Sequence, residues 1–564
     1  MSMLSLFSKL GFDVTGGKRD ILRACVAMAL AALLIGLTMS DAMRRGMHHR
    51  VMISSGEQTA IAIALSETVY KLKLGYVGHT SVLNAIQTHW NKGADGWSNL
   101  PQLIKNFGDR EVLNAGIQAA ANLGPQLSGY FTDGSLITAI YDDLGEVDFY
   151  KISFRIFGMK IESAFYLYFL LLGVSSIVFI VTFRRNVYAL CVLLCTLFGF
   201  YQELNLAVFD LVASPTYFGM RHSSTLGVVP MWYLTFLLVF PRKASQTLVV
   251  GTVLQVAILI LAWRIRASVT WVFLFLSFLA VVLTLARSRT AGLNGVWSWL
   301  YPIRSWSAWA RTWPMLLKDA LRWPVMLLLC GMLGNAIYNQ QSRHLIYSTD
   351  DVIPYHGLWW AGVNALYFDK PQLFGERVKN TEGTPEGWWH LRDYYDRVRL
   401  VPWDGTYVMT NHPPGILSPW TGGQLKYRLV DETMKRIYVE AATKKPLASA
   451  QYYLIQQPIY LTQQLLVPFK QATGSAWLWL TFLASATIFA FARLFEDKTS
   501  SVPPDKIILL SVGAFLVSWL PGLWAHAVIA YFPDSINLAV CSMSLVLGLG
   551  AYRLYRFGRP AWVQ

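Results

Sequence analysis

Apolar residues fall along this chain in long runs of roughly 16 to 21, the length that a hydrocarbon core about 30 Å thick demands of a helix. Ten such runs stand near 24–40, 164–183, 187–207, 224–240, 246–263, 268–286, 323–339, 475–492, 507–530 and 536–555. The pattern predicts an all-α polytopic membrane protein with about ten transmembrane helices. Two polar stretches are too long to be simple turns. They predict short helices at 58–74 and 111–123, where apolar residues recur at helical spacing, and an irregular cap rich in Trp, Tyr, Pro and Gly over 341–474.

The connectors sort by charge. Arg184-Arg185, Arg242-Lys243, the segment from Arg287 to Arg322, the segment from Arg493 to Lys506 and the tail with Arg553, Arg556 and Arg559 are basic, as is the N-terminus. Every second connector therefore carries Lys and Arg, which are retained on the cytoplasmic side. This predicts cytoplasmic termini (1–23 and 557–564), a first helix at 24–40, a first extracytoplasmic loop at 41–163 and a bundle of about six helices at 164–340. A second extracytoplasmic domain follows at 341–474, then three C-terminal helices at 475–556. Arg264 and Arg266, in a short outward connector, run against the rule. The first apolar run follows Lys18, Arg19 and Arg23, but Asp41-Ala42-Met43-Arg44-Arg45 is a poor cleavage site, so a retained signal-anchor helix is expected.

Composition agrees. The chain is 54% hydrophobic and 14% charged, with mean hydropathy +0.38, whereas soluble domains are about a quarter charged. The net charge of +15 has a topological explanation. Nucleic acid is not an expected partner, because no basic run interleaved with aromatics suits phosphate tracking. All five cysteines (Cys25, Cys191, Cys195, Cys330 and Cys541) lie in apolar runs, which argues against disulfides and zinc sites. The alternating Trp and basic residues from Trp297 to Lys318 read as an interfacial amphipathic segment.

Candidate chemistry begins with four carboxylates just before the second span: Asp142, Asp143, Glu146 and Asp148. An acid held at the outer interface can take a proton from a sugar hydroxyl, or hold a divalent ion that bridges a phosphate. Asp142 and Asp148 are the candidate ligands for such an ion, Mg or Mn. In a helix Asp142 and Glu146 share a face and Asp148 points elsewhere. Arg221 and His222 stand at the outer end of the fourth span, where the phosphate of a lipid-linked donor lies, and arginine suits bidentate phosphate recognition. The second loop combines acids, imidazoles and aromatic faces in three groups: Asp350, Asp351, His356, Trp359 and Trp360; Trp388, Trp389, His390, Asp393 and Asp396; and Trp403, Asp404, Asn411 and His412. Of these, Asp351, His356, Trp359, Trp360 and His412 are the candidate sugar or acceptor contacts. There is no Walker loop, no dinucleotide-binding glycine fingerprint and no Gly-x-Ser-x-Gly. Few carboxylates fall within spans, unlike an ion-coupled transporter.

An inward N-terminus, a long first outer loop with acids near the membrane, a helix bundle and a later outer domain together resemble the C-type membrane glycosyltransferases, which use polyprenyl-phosphate sugar donors. The resemblance implies an Asp of the first outer loop as base, for which Asp142, Asp143 and Asp148 are candidates, and a basic phosphate contact, for which Arg221 is the candidate. Asp350, Asp351 and His356 stay open as alternatives, because the acids stand about a hundred residues beyond the first helix. The function expected is sugar transfer from a lipid-phosphate donor to a cell-envelope glycan, lipid or protein acceptor, on the outer face of a bacterial inner membrane. Two other readings stand beside it. One is an O-antigen ligase or polymerase relying on Arg221, His356, Arg392 and His412; the other is a non-catalytic glycolipid transporter or export-complex subunit.

Overall fold

The computed structural model describes residues 17–47, 64, 68, 144–158, 162–205, 220–240, 242–266, 269–290, 322–342, 359, 362, 435, 438–440, 442–459, 462, 475–495, 504–520 and 533–557. Nearly all of these residues are helical, and no strand occurs among them. The helices are α1 (Lys18–Arg44), α2 (Leu144–Phe157), α3 (Glu162–Phe183), α4 (Val187–Asn205), α5 (Val228–Val239), α6 (Gln246–Ile265), α7 (Thr270–Thr290), α8 (Trp323–Ser342), α9 (Pro446–Gln451), α10 (Ser475–Phe495), α11 (Pro504–Ser518) and α12 (Pro533–Phe557). A short turn of helix at Met220–Ser223 and a 3-10 turn at Ser224–Gly227 lead into α5.

Among the described residues, four helices are long and apolar enough to cross a membrane: α1, α3, α6 and the Asp534–Arg556 part of α12. Shorter apolar stretches lie within α4, α5 with its 3-10 turn, α7 and α10. Large apolar side chains such as Leu33, Ile177, Val250, Phe278, Phe482 and Leu509 point outward and are exposed. A water-soluble bundle hides such residues, whereas lipid tails accept them. The chain is accordingly a membrane-embedded helical protein.

At the centre is α4, which packs against α1, α3, α5, α10 and α12. Every residue from Val187 to Leu197 is buried, as expected of a helix that is apolar on all sides. The contact with α12 is close enough that a Cβ on Gly199 would stand 2.8 Å from the Asn537 carbonyl oxygen, so only glycine lets these backbones approach. Some polar groups inside the bundle are paired across helices. Ser175 on α3 donates to Gln255 Oε1 on α6 at 2.7 Å, and the Gln255 amide returns a bond to the Ser175 carbonyl at 2.8 Å. Such bonds contribute on the order of 0.6 kcal/mol each in a bilayer.

The helix ends fall into two sets. At one end, Arg23 near the start of α1 donates to the carbonyls of Phe495 (2.7 Å) and Arg184 (3.3 Å). There too Arg185 pairs with Asp20, Arg242 bonds the Thr182 carbonyl, Trp323 bonds the Arg242 carbonyl and Arg553 pairs with Asp505. Burial lowers the pKa of Arg242, and the nearby Tyr233 opposes that shift. At the other end, Arg45 bonds the Leu204 carbonyl, α2 meets the ends of α6 and α8, and Ser535 bonds the Ser518 carbonyl. The stretches 48–143 and 343–474 leave from and return to this second end.

The Arg23 side chain is fully buried and places its charge at the C-terminal ends of α3 and α10, where the helix dipole is negative. Replacing Arg23 with Ala leaves both sets of carbonyls without that donor. The expected cost is about 3 kcal/mol, read as a lower thermal unfolding midpoint in detergent. An unchanged midpoint would remove Arg23 from the account of what fastens α1 to the bundle.

Candidate functional site

The second end of the bundle is organised by α2. Val147, Tyr150 and Phe154 recur at helical spacing and are buried with Phe149, so the helix lies against α3 and α6. The last part of the 41–163 segment thus belongs to the packed bundle. The entry of α2 is decided by Gly145. A Cβ there would lie 2.2 Å from the Arg264 carbonyl carbon and 2.4 Å from the Ile265 nitrogen. The two backbones touch, and one helical turn later Asp148 comes beside the Arg264 side chain.

Asp148 is held from three sides. Arg264 Nη2 donates to its Oδ2 at 2.5 Å, Tyr338 donates its hydroxyl to Oδ1 at 3.2 Å, and Lys151 Nζ lies 3.4 Å from Oδ1. Arg264 is held in turn. Its Nη1 donates to Asn335 Oδ1 at 2.7 Å and to Asn339 Oδ1 at 2.6 Å, and its guanidinium stands 4.6 Å from the Tyr338 ring centroid. The side chains of Arg264 and Asp148 are 10% and 18% exposed. Each ion is thus largely desolvated yet fully bonded, the condition under which a half-buried pair is stable. The group joins α2, α6 and α8 at this end of the bundle.

A second acid stands at the same end. Asp534, in the first turn of α12, is 3% exposed; it accepts from Trp271 Nε1 at 3.1 Å and from Ser224 Oγ at 3.2 Å. Arg266 lies close enough to act on its charge. Sequence reading passed over Asp534 because it is a single acid in a short connector. The signal available was its position after Pro533 at a helix start, a favoured place for an acid. Of the two arginines that run against the charge rule, Arg264 is matched to an acid by an ion pair with Asp148.

The other candidates distribute as follows. Glu146 is buried but stands two positions from Asp148, so the two acids do not share a face. His222 is buried in the turn before the 3-10 segment. Its carbonyl accepts from Thr225 Oγ1 at 2.5 Å, and that hydroxyl is 2.9 Å from the Tyr168 hydroxyl. Through Ser224 this turn joins Asp534 rather than Asp148. Arg221 belongs to the same turn, and the placement of its side chain lies outside what is described. Trp359 is half-buried with its ring 5.4 Å from that of Tyr438 and 5.7 Å from Lys435 Nζ. Tyr438 in turn neighbours Tyr453, and burial raises the pKa of both phenols. Asp142, Asp143, Asp351, His356, Trp360 and His412 lie outside the described residues, as do Asp350 and Arg392.

Among the described residues no three His, Cys, Asp or Glu side chains stand together as metal ligands would. Asp148 has cations, Arg264 and Lys151, on the side where a divalent ion needs further oxygens. Its described surroundings do not fit an ion, and Asp142, the other candidate ligand, lies outside them. No protein-family model, curated protein or solved structure matches the chain.

Proposed function

We propose that the chain is a polytopic membrane glycosyltransferase. It crosses a bacterial inner membrane about ten times with both termini cytoplasmic, and moves a sugar from a lipid-phosphate donor to a cell-envelope acceptor on the outer face. The observation that carries this reading is the Asp148–Arg264–Lys151 group at the bundle end from which the two long connections leave. There an anionic headgroup and a sugar acceptor meet without either entering the hydrocarbon. Pairing with Arg264 fixes the orientation of the Asp148 carboxylate, as a positioned general base requires. Its Oδ1 has the longer contacts, with Tyr338 and Lys151, and is the oxygen assigned to take the proton.

In the reaction the acceptor hydroxyl oxygen bonds to the anomeric carbon and its proton passes to Asp148 Oδ1. The bond from that carbon to the phosphate oxygen breaks, and the leaving lipid phosphate keeps the electron pair. Lys151, at the rim of the group, and Arg221 in the turn before α5 are the cations assigned to that phosphate. Asp351, His356, Trp359, Trp360 and His412 are assigned to the sugar or the acceptor. The Trp359 ring is engaged by Tyr438 and Lys435.

The test is transfer from a polyprenyl-phosphate sugar in membranes carrying Asp148→Asn, which keeps the hydrogen-bonding shape and removes the base. Loss of about 10²–10⁴ in rate is expected for a positioned base. Full activity would leave Asp148 a positioning residue and turn the reading toward an O-antigen ligase or polymerase that relies on arginine. Mass spectrometry of a deletion strain separates the transporter reading. A missing transferase leaves the acceptor one sugar short, whereas a missing transporter leaves the finished precursor to accumulate.

A further inference from the structure

Residues 446–459 form a helix that begins at Pro446 and contains one π turn, Tyr452–Gln456. The extra residue in that turn brings Tyr452 and Gln457 into line, and the Tyr452 hydroxyl donates to Gln457 Oε1 at 2.8 Å. Both side chains are fully buried, with Ser449 on the same side. This inner face packs inward through Tyr453, whose ring meets Tyr438, which in turn meets Trp359. The outer face is the reverse of a soluble helix. Leu447 is 85% exposed and Leu454 78%, and Ile455 and Ile459 are more than half exposed. Ser449, Tyr452 and Gln457 are tucked in, while these aliphatic residues are turned out beside exposed Gln451.

We propose that this outer face lies in the acyl-headgroup boundary of the same bilayer that holds the spans, as an interfacial helix parallel to the membrane. Three observations name lipid as the occupant. The segment is tethered to a span, since the sixteen residues from Ile459 to the start of α10 at Ser475 reach at most about 55 Å even when extended. Its exposed aliphatic residues match in kind those of the helix it leads to, where Trp479, Phe482 and Leu483 are bare. Exposed Lys445 immediately precedes the apolar face, next to Lys444, which pairs with Glu440; a cationic side chain placed there meets lipid phosphates. Such a helix fixes the 341–474 domain at a set height over the membrane, which the transferase reading does not require.

The experiment uses the full chain in nanodiscs of phosphatidylcholine and phosphatidylglycerol carrying a diazirine on the acyl chain. After photolysis, adducts are mapped by mass spectrometry. Adducts are expected on the 446–459 peptide as well as on the exposed residues of α10. The pair Leu454→Glu and Ile455→Glu should lose those on 446–459 and keep those on α10, which reports that the chain is still inserted. Labelled α10 beside an unlabelled 446–459 peptide overturns the proposal, whether that face then cross-links to a second copy or to nothing. So does a Glu pair that labels as well as the natural sequence. Neither result depends on sugar transfer.

Discussion

Replacing Arg264 with Met is expected to lower stability by about 3 kcal/mol, because Asp148 loses its closest charge partner and keeps only Lys151 at 3.4 Å. The same change takes the donors from Asn335 and Asn339 and the cation from the face of Tyr338. Three helix ends lose their common fastening at once. Thermal unfolding in detergent reads the effect, and sugar transfer should fall with it, since the orientation of Asp148 depends on this arginine. The double variant Arg264→Met with Asp148→Leu separates the two consequences. Replacing both partners of a pair by apolar groups is often neutral, so the double variant should recover most of the stability and none of the activity. Recovery of neither would mean that Arg264 acts through groups other than Asp148. Recovery of both would remove the pair from the mechanism.

Gly145→Val should have the second largest effect, and it acts on geometry rather than charge. Its Cβ would fall 2.2 Å from the Arg264 backbone, more than an ångström short of van der Waals contact, and no side-chain rotation relieves a backbone clash. The start of α2 must swing off α6 and carry Asp148 with it. Overpacking of this kind costs about 1–3 kcal/mol, but a displacement of about 1 Å at a reacting group costs about 10²-fold in rate. Activity should therefore fall further than stability. Gly173→Ala on α3, where an added Cβ meets nothing within 4 Å, should leave both unchanged. If Gly145→Val keeps full transfer, the approach of α2 to α6 does not set the position of the site.

Both expectations rest on a group that was only half legible in the chain. Asp148 stood out because four acids crowd ahead of a span, a local pattern. Its partner stood out for the opposite reason, as an arginine in a connector where the charge pattern wanted none. Nothing local joined the two, for they lie 116 residues apart, and the glycine that brings them together is an unremarked residue between acids. Asp534 was missed on the same ground. Its role depends on Trp271 and Ser224, 263 and 310 residues away, and a single acid carries no periodic signal.

What the sequence determined by itself is the helical, membrane-embedded character of the chain and where its helices run. Apolar length and helical periodicity are properties of neighbouring residues, and the bilayer imposes them on each segment separately. What only the tertiary structure decided is which of the many charges meet. It drew Asp148 out of the acidic cluster and seated it against Arg264, which turned an arginine that contradicts the charge pattern into half of an ion pair. Pairing of this kind follows from the packing of α2 on α6 and of α12 beside α7. Such contacts depend on side-chain volume and close backbone approach between distant parts of the chain.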